Sequence, residues 1–175
     1  MEYLHKIKSP VGTLAVSSDG KNISGLWIEG QKYFARTLGE EVLKQDLPVF
    51  EELRKWLDRY FSGKEPDFMP PLMPRGNAFQ KSVWEELYNI PYGQTITYGE
   101  LAEQFALRNG GKHTSARAVG GAVGRNPISI LIPCHRVIGK NGSPTGYAGG
   151  VDKKIKLLQL EGINIENRGW EKYVT

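Results

Sequence analysis

Residues 97–124 read TYGELAEQFALRNGGKHTSARAVGGAVG, and this stretch carries the clearest fold signal in the chain of 175 residues. Thr97 and Glu100 have the spacing of a capping box, which predicts a helix that begins at Thr97 and ends near Leu107. A glycine-containing loop follows, and a second helix is predicted from Ser115. This is the outline of a helix-turn-helix, whose second helix enters a DNA groove.

The predicted second helix is unusual because three of its ten residues, 115–124, are glycine. Each glycine costs about 1 kcal/mol relative to alanine inside a helix, so something else must favour the missing side chains. Close packing between helices is one explanation, and close approach of a bulky anionic partner is the other. The residues predicted to face the core are Ala116, Val119 and Val123. The residues predicted to form the outer face are Arg117, Ala118, Gly121 and Arg125.

Residues 130–138 read ILIPCHRVI and place the only cysteine, Cys134, beside His135 and Arg136 after an apolar, strand-like stretch. A lone cysteine in an apolar segment is often an inert core residue. Two polar side chains directly after a buried strand favour a functional site instead. A thiol reacts as the thiolate, which neighbouring cations and a base within reach favour by lowering the thiol pKa. Cys134 is therefore a candidate nucleophile.

Positive charge is concentrated around this cysteine. The chain has 23 Lys plus Arg against 19 Asp plus Glu, a net charge of +4 and a pI near 9.1. Residues 108–140 contain no Asp or Glu. The basic residues of that segment are Arg108, Lys112, Arg117, Arg125, Arg136 and Lys140. This distribution indicates an anionic partner such as DNA.

Composition argues against several other classes. No apolar run reaches the roughly 18 residues of a membrane span, and residues 1–20 lack a secretory signal, so we expect a cytoplasmic protein with no membrane partner. A single cysteine cannot form an intramolecular disulfide. His5, His113 and His135 show no paired ligand spacing, so neither a metal nor another cofactor is predicted. No dimerisation element is recognisable, and we expect a monomer.

The N-terminal part resembles a small β-meander followed by helices. Three short strands are predicted, at residues 3–8, 13–17 and 23–28. Residues 31–45 are predicted to be helical, and an apolar stripe over 49–61 predicts a further helix. Four prolines between residues 65 and 76 predict an extended linker. We therefore expect an N-terminal domain over 1–64, a linker over 65–77 and a C-terminal domain over 78–175, which opens with a helix over 78–88.

Residues 77–161 resemble the O6-alkylguanine-DNA alkyltransferase family, also called methylated-DNA-protein-cysteine methyltransferases. The family signature Pro-Cys-His-Arg-Val stands at 133–137. Further family marks follow in order: Phe79, Val83-Trp84, Ile90-Pro91, Gly93, Thr97-Tyr98, residues 116–119, Asn126-Pro127, Gly146-Tyr147, Gly149-Gly150, Lys154, Leu157-Leu158 and Glu161. The resemblance implies an α+β fold. It comprises a small ribonuclease H-like N-terminal domain and a mostly helical C-terminal domain with a winged-helix-like helix-turn-helix.

The resemblance also implies a suicidal DNA repair reaction. Cys134 would attack the alkyl carbon on guanine O6 by in-line displacement and keep the alkyl group, so each molecule would react once. His135 would activate the thiol through a water molecule, and Glu161 would orient His135. Asn126 would brace the backbone turn near the active site. Tyr98 would crowd the 3′ phosphate and later supply a proton to the guanine.

The implied partner is double-stranded DNA that contains O6-alkylguanine. The target atom lies within the base stack, so the damaged nucleotide must be flipped out of the helix. The second helix would enter the minor groove, where small residues allow close approach, and Arg117 would take the place of the extruded base. The expected DNA-binding residues are Arg117, Ala118, Gly121, Ala122, Arg125, Thr97 and Tyr98. The expected substrate-binding residues are Tyr147 in the pocket wall, Val137 and Ala148 through nearby backbone groups, and Ser129.

Some positions depart from the family pattern. Ser129 stands where many relatives have proline, and Ala148 where some have serine, which bears on the size of adduct accepted. The connector over 108–114 is a little longer than usual. The tail over 163–175 extends past the matched region, and Trp170 is predicted to pack on the domain rather than to touch DNA. We assign the tail no function.

Three other functions are compatible with parts of this pattern. A non-catalytic sensor of alkylation damage would flip the base without reacting, but such relatives lack the cysteine. A helix-turn-helix regulator would bind DNA and would have no need for Cys134, His135 and Glu161 together. A cysteine hydrolase would turn over esters or peptides.

Overall fold

The computed structural model describes residues 1–174, and contacts within the chain divide it into two units. The first unit comprises Met1–Arg75 together with Pro127–Ser129. The second unit comprises Gly76–Asn126 and the residues from Ile130 onward. The first unit is built on a sheet and the second is mostly helical, which confirms the predicted α+β class.

The first unit contains a four-stranded sheet in the order β3-β2-β1-β4. Its strands are β1 (Glu2–Ser9), β2 (Gly12–Ser18), β3 (Ile23–Ile28) and β4 (Val42–Lys44). The first three strands form the predicted antiparallel meander, and β4 pairs with β1 in parallel. The turn between β2 and β3 is fixed by Asp19, whose carboxylate accepts the backbone N–H groups of Lys21 and Asn22. Helix α1 (Pro48–Phe61) stacks Phe50 on His5 of β1.

The helix predicted over 31–45 is wrong. These residues form irregular turns followed by β4, and both Tyr33 (φ 60°) and Ala35 (φ 53°) lie in the left-handed region, which a right-handed helix does not accommodate. The buried carboxylate of Glu2 explains the outcome in part, because its Oε1 accepts the N–H of Gly39 at 2.8 Å. A buried charge must be paired, and this tertiary requirement overrides the local helical pattern.

Two distant segments cover the outer edge of β3. The N–H of Ile23 donates to the carbonyl of Pro71, and the N–H of Met73 donates to the carbonyl of Ile23. Further along β3, the N–H of Leu26 donates to Pro127 and the carbonyl of Leu26 accepts from Ser129. An uncovered strand edge would expose unpaired backbone groups, so these segments complete the sheet. The domain boundaries expected at 64 and 78 remain a prediction.

The second unit is built on three mutually packed helices. These are α2 (Ala78–Tyr88), α3 (Tyr98–Arg108) and α4 (Ala116–Gly124). The helix predicted over 78–88 and the capping box of Thr97 and Glu100 are confirmed. Short strands β5 (Ile96–Thr97) and β6 (Val137–Ile138) pair in parallel, which places the start of α3 beside the chain that follows Cys134. Helix α5 (Val151–Leu160) follows.

Helix α4 shows which of its small residues the fold itself requires. Val119 and Val123 are buried as predicted, whereas Ala116 is exposed, so its predicted core position is wrong. A Cβ at Gly120 would lie 3.5 Å from the Tyr98 ring, whereas a Cβ at Gly121 would meet nothing within 4 Å. Packing between helices therefore does not account for Gly121. Among the described residues, none of the helices is long and apolar enough to cross a membrane.

Candidate active site around Cys134

Cys134 lies in a sharply bent segment rather than at the end of a strand. The strand-like prediction for residues 130–132 is wrong, because these residues form turns and Ile130 has φ 73°. A β-branched residue in the left-handed region is rare, and burial of Ile130 holds it there. The chain then forms a single 3-10 turn, Cys134–Arg136, before β6. The thiol is buried together with the side chains that follow it.

Asn126 braces this bend from the preceding segment. The side chain is 4% exposed, and its Nδ2 donates to the carbonyl of Ile132 at 2.7 Å. The same side chain forms a hydrogen bond that lowers the pKa of the Cys134 thiol. Asn126 thus holds the backbone immediately before Cys134 and also contacts the sulfur.

His135, Arg136 and Glu161 form a buried charged cluster at the end of α5. His135 Nε2 lies 2.6 Å from Glu161 Oε2, and Arg136 Nε donates to Glu161 Oε1 at 2.8 Å. The N–H of Gly93 also donates to Oε1, at 2.9 Å. Glu161 is the C-cap of α5, where the helix dipole disfavours a negative charge. These three donors compensate for that position.

The cluster fixes the protonation states of its members. Burial opposes ionisation of Glu161, but the hydrogen bonds and positive charges of His135 and Arg136 outweigh it and lower the pKa of Glu161 to about 2. Burial also lowers the pKa of His135, and the nearby charge of Arg136 adds to this although Glu161 opposes it. At neutral pH the arrangement is an anionic Glu161 that orients a neutral imidazole.

Lys154 of α5 is a buried cation whose charge acts on the thiol. Its side chain is fully buried, and Nζ donates to the carbonyls of Val137 and, at 3.3 Å, Thr145. Burial lowers the pKa of Lys154 to about 8. Burial raises the pKa of the Cys134 thiol, whereas the hydrogen bond from Asn126 and the charge of Lys154 lower it. The resting site therefore keeps a protonated thiol beside groups that stabilise the thiolate.

The loop over 139–150 forms another part of this region and carries Tyr147 and Ala148, both half-buried. Its backbone is held against α3, because the hydroxyl of Tyr98 donates to the carbonyl of Gly146 at 3.4 Å. Gly146 has φ 97°, which L side chains rarely adopt, and a Cβ there would lie 2.8 Å from the same hydroxyl oxygen, so this position favours glycine. Burial, together with the charge of Cys134, raises the pKa of Tyr98 to about 12, which keeps this hydroxyl protonated.

The exposed face of α4 contains most of the predicted DNA-binding residues. Those exposed to solvent are Arg117, Ala118, Gly121 and Arg125. Ala122 does not belong to this face. It is 6% exposed, and its carbonyl accepts the indole N–H of Trp84 at 2.9 Å, so its expected contact with the groove stays a prediction. Thr97 is half-buried and its hydroxyl is used as the cap of α3.

Two predicted substrate-binding residues have backbone groups that are already in use. The carbonyl of Val137 accepts from the Lys154 ammonium. Ser129 is buried in the first unit, where its N–H donates to Leu26. Their expected contacts with the substrate remain predictions.

Comparisons with known proteins identify the family. A profile described as 6-O-methylguanine DNA methyltransferase, DNA binding domain, matches residues 78–163, and one described as its ribonuclease-like domain matches residues 3–74. A methylated-DNA–protein-cysteine methyltransferase of Haemophilus influenzae is 45% identical over 164 residues, which cover 93% of this chain and 88% of the relative. This chain belongs to the 6-O-methylguanine DNA methyltransferase family. The resemblance seen in residues 77–161 is confirmed and extends to the N-terminal part.

Solved structures of the family have the same fold. Mycobacterium tuberculosis OGT in complex with DNA has a TM-score of 0.79 and 39% identity, covering 95% of this chain and 94% of that one. The O6-methylguanine-DNA methyltransferase of Pyrococcus kodakaraensis has a TM-score of 0.57 and 29% identity, covering 93% and 100%. The similarity therefore spans both units and not only the segment that carries the cysteine motif.

The sequence analysis named Lys154 as a family position but predicted no role for it in the site. The sequence of α5 does contain a signal for its burial. Lys154 precedes Leu157 and Leu158 by three and four positions, so it lies on the apolar stripe of an amphipathic helix. A lysine on a core-facing stripe is rarely buried without a specific partner.

Proposed function

We propose that this chain repairs DNA by moving an alkyl group from guanine O6 to the sulfur of Cys134, as the names of its relatives describe for methylated DNA. The carbon–sulfur bond forms as the carbon–oxygen bond breaks, the electron pair of that bond stays on the guanine oxygen, and the base gains one proton to become normal guanine. One observation carries the proposal. The only thiol is buried, is bonded to Asn126 and feels the charge of Lys154, and the next residue, His135, is held by a buried carboxylate.

The buried charges explain how a protonated thiol becomes a nucleophile. Because His135 Nε2 is bonded to Glu161, proton exchange with the thiol has to use Nδ1, and we propose that a water molecule relays that proton. Glu161 then stabilises the imidazolium that forms. Lys154 and Asn126 stabilise the thiolate. Exclusion of bulk water strengthens each of these interactions.

Tyr98 is proposed to assist departure of the guanine. Its hydroxyl is protonated at neutral pH because its pKa is about 12, so it serves as a proton donor rather than a base. A developing negative charge on the leaving guanine would draw this proton and give a neutral base, and the Tyr98 phenolate would then take up the proton released by the thiol. Its hydrogen bond to Gly146 keeps the hydroxyl at the edge of the loop that carries Tyr147.

DNA binding is proposed to use the exposed face of α4. Gly121 and Ala118 offer no bulk between Arg117 and Arg125, which suits insertion into the narrow minor groove. Arg117 would fill the gap left by the flipped nucleotide, and Tyr147 would face the base. Phosphate contacts by the exposed basic residues of 108–140 would dominate affinity, so binding should weaken steeply with salt.

Val137, Ala148 and Ser129 would line the base pocket. The chain would act as a monomer, since a single suicidal transfer needs one thiol. It would act in the cytoplasm, where a reducing environment keeps that thiol free. No cofactor enters the proposed reaction.

The decisive experiment is incubation with duplex DNA that contains one O6-methylguanine, followed by intact-mass measurement and peptide mapping. We expect one added methyl group on Cys134, saturating at one per chain. The matched control is Cys134→Ser, which retains a small polar side chain but should not accept the methyl group. Lesion binding without transfer would instead favour a damage sensor, and equal binding of undamaged DNA without transfer would favour a regulator. Sustained turnover of esters would favour a hydrolase.

A further inference from the structure

The loop over 139–150 has little in its own sequence to fix its conformation. Five of its twelve residues are glycine, and three of these, Gly142, Gly146 and Gly150, have positive φ. Glycine is the residue with the greatest backbone freedom, so contacts from other elements matter more for the order of this loop than for an ordinary one. Tyr147, which the proposed function places against the base, lies in this loop. What holds the loop therefore determines where Tyr147 lies.

Side chains of Trp170, Lys154 and Tyr98 each donate to one backbone carbonyl of the loop. The indole Nε1 of Trp170 donates to Gly142 at 2.9 Å. Lys154 Nζ donates to Thr145 at 3.3 Å, and the hydroxyl of Tyr98 donates to Gly146 at 3.4 Å. The bond from Trp170 is the shortest of the three and the only one from outside the site already described.

Trp170 is itself rigidly placed. It is 2% exposed and belongs to a buried cluster with Ile138, Ile155, Leu158 and Ile165. Its backbone N–H donates to the carbonyl of Ile165, and Arg168 stacks on its ring at 5.2 Å. The prediction that Trp170 packs on the domain is confirmed. This indole is a fixed point on α5 and β6, which also carry Lys154 and Val137.

The hydrogen bond from Trp170 to Gly142 acts on Tyr147 through the short and restricted stretch of backbone between Gly142 and Tyr147. Between Gly142 and Thr145, Pro144 is buried and has a φ restricted by its ring. The N–H of Gly139 donates to the carbonyl of Ser143, and the N–H of Gly142 to that of Gly139, which closes this half of the loop on itself. Displacement of Gly142 would therefore move residues 139–145 together and shift the backbone that leads into Tyr147.

We propose that Trp170, in the tail beyond the family signature, is a positioning residue that sets the size of O6-alkyl adduct the site accepts by fixing the Tyr147 loop through Gly142. This rests on the proposed function. A loop held at all three carbonyls keeps Tyr147 at a constant distance from the thiol and favours a small methyl adduct. Release of the Gly142 carbonyl lets the loop move outward and favours larger adducts.

The test removes one hydrogen bond without changing the shape of the core. Site-specific replacement of Trp170 by β-(3-benzothienyl)alanine keeps the bicyclic ring but exchanges the N–H for sulfur. The matched control is the same replacement at Trp56, which is also buried but whose Nε1 has no hydrogen-bond partner among the described residues. Trp170→Phe is a second variant that removes the same donor. Melting temperatures identify any variant that is merely destabilised.

Two measurements are compared in each protein. One is hydrogen exchange of the amides over 139–150, and the other is the ratio of alkylation rates with a bulky O6-benzylguanine and with O6-methylguanine in the same duplex. Loss of one neutral hydrogen bond predicts a rise of about two- to tenfold in exchange and in that ratio at position 170, with neither changed at position 56. The methyl rate itself should change much less than the ratio.

The outcomes are separable. If the replacement at position 170 leaves hydrogen exchange of the loop amides unchanged, Trp170 does not hold the loop. If exchange becomes faster but the ratio of alkylation rates does not change, Trp170 has no role in selectivity. Equal effects at positions 56 and 170 would also overturn the proposal, because they would report the ring replacement itself. If the unmodified chain transfers no alkyl group from either substrate, the proposed function fails, whereas the exchange measurement still decides whether Trp170 holds the loop.

Discussion

Gly121→Ala separates stability from DNA contact in a single substitution. Gly121 is exposed, lies midway between Arg117 and Arg125 on α4, and a methyl group added at its Cα would meet no atom within 4 Å. Alanine should therefore stabilise the helix by about 1 kcal/mol, which corresponds to a rise of about 2–4 °C in melting temperature for a chain of this size. Because the surrounding space is open, no steric penalty offsets this gain in the free protein.

The same methyl group should weaken DNA binding. If the exposed face of α4 lies in the minor groove, the added methyl carbon contacts DNA atoms. Overpacking of a close contact costs about 1–3 kcal/mol of binding free energy, which is at least about a fivefold loss of affinity. Fluorescence anisotropy with a labelled duplex measures the affinity, and thermal melting measures the stability. The reaction with free O6-benzylguanine base, which needs no groove contact, is the internal control and should keep its rate. A more stable variant with unchanged DNA affinity would refute the assignment of this face to DNA, and an unchanged melting temperature would refute the propensity argument.

Three other changes test the remaining parts of the site. Arg117→Ala should slow repair of duplex DNA by at least about tenfold because no side chain then replaces the flipped base, while the free energy of unfolding of this exposed position stays within about 0.5 kcal/mol; single-turnover kinetics and denaturant unfolding check both. Glu161→Gln should slow transfer by about 100-fold or more. The pKa of Glu161 is about 2 in the folded state and near 4.5 in the unfolded state. Its ionised form therefore adds about 3 kcal/mol to the free energy of unfolding above pH 4.5, and this contribution is lost as the pH falls towards 2. Urea unfolding from pH 2 to 7 should therefore show that the difference in free energy of unfolding between wild type and Glu161→Gln becomes smaller in acid. A difference that does not change with pH would contradict the lowered pKa of Glu161. Lys154→Met should raise the pKa of the Cys134 thiol, seen as an upward move of the midpoint in the pH profile of iodoacetamide alkylation, and an unmoved midpoint would show that Lys154 does not act on the sulfur.

Local chemistry predicts the helical part of this fold well. The capping box at Thr97 and the stripe over 78–88 specify helix position from neighbouring residues alone, and α2 and α3 follow those signals. Residues 31–45 have a comparable local pattern, but the carboxylate of Glu2, far away in sequence, accepts the N–H of Gly39, and β4 pairs with β1. Patterns in neighbouring residues cannot predict a partner so distant in sequence.

The candidate site shows the same division. Cys134, with polar neighbours in an apolar segment, is visible from sequence because adjacent residues carry the signal. The positive φ of Ile130 is not visible, since a β-branched residue gives no hint of a left-handed conformation that only burial enforces. The helical periodicity of α5 could have predicted that Lys154 is buried. Its effect on the thiol could not be predicted, because it depends on how α5 packs against the turn at Cys134.

The pairing of β3 with residues 127–129 has a consequence for synthesis of the chain on the ribosome. Leu26 is made early, but Pro127 and Ser129, which bond its backbone, emerge only after α2, α3 and α4. Contacts between residues so far apart in sequence form slowly and late. The part of this edge around Leu26 therefore stays open during most of translation, and a fragment that stops at residue 75 is expected to keep that part exposed and to associate with other chains.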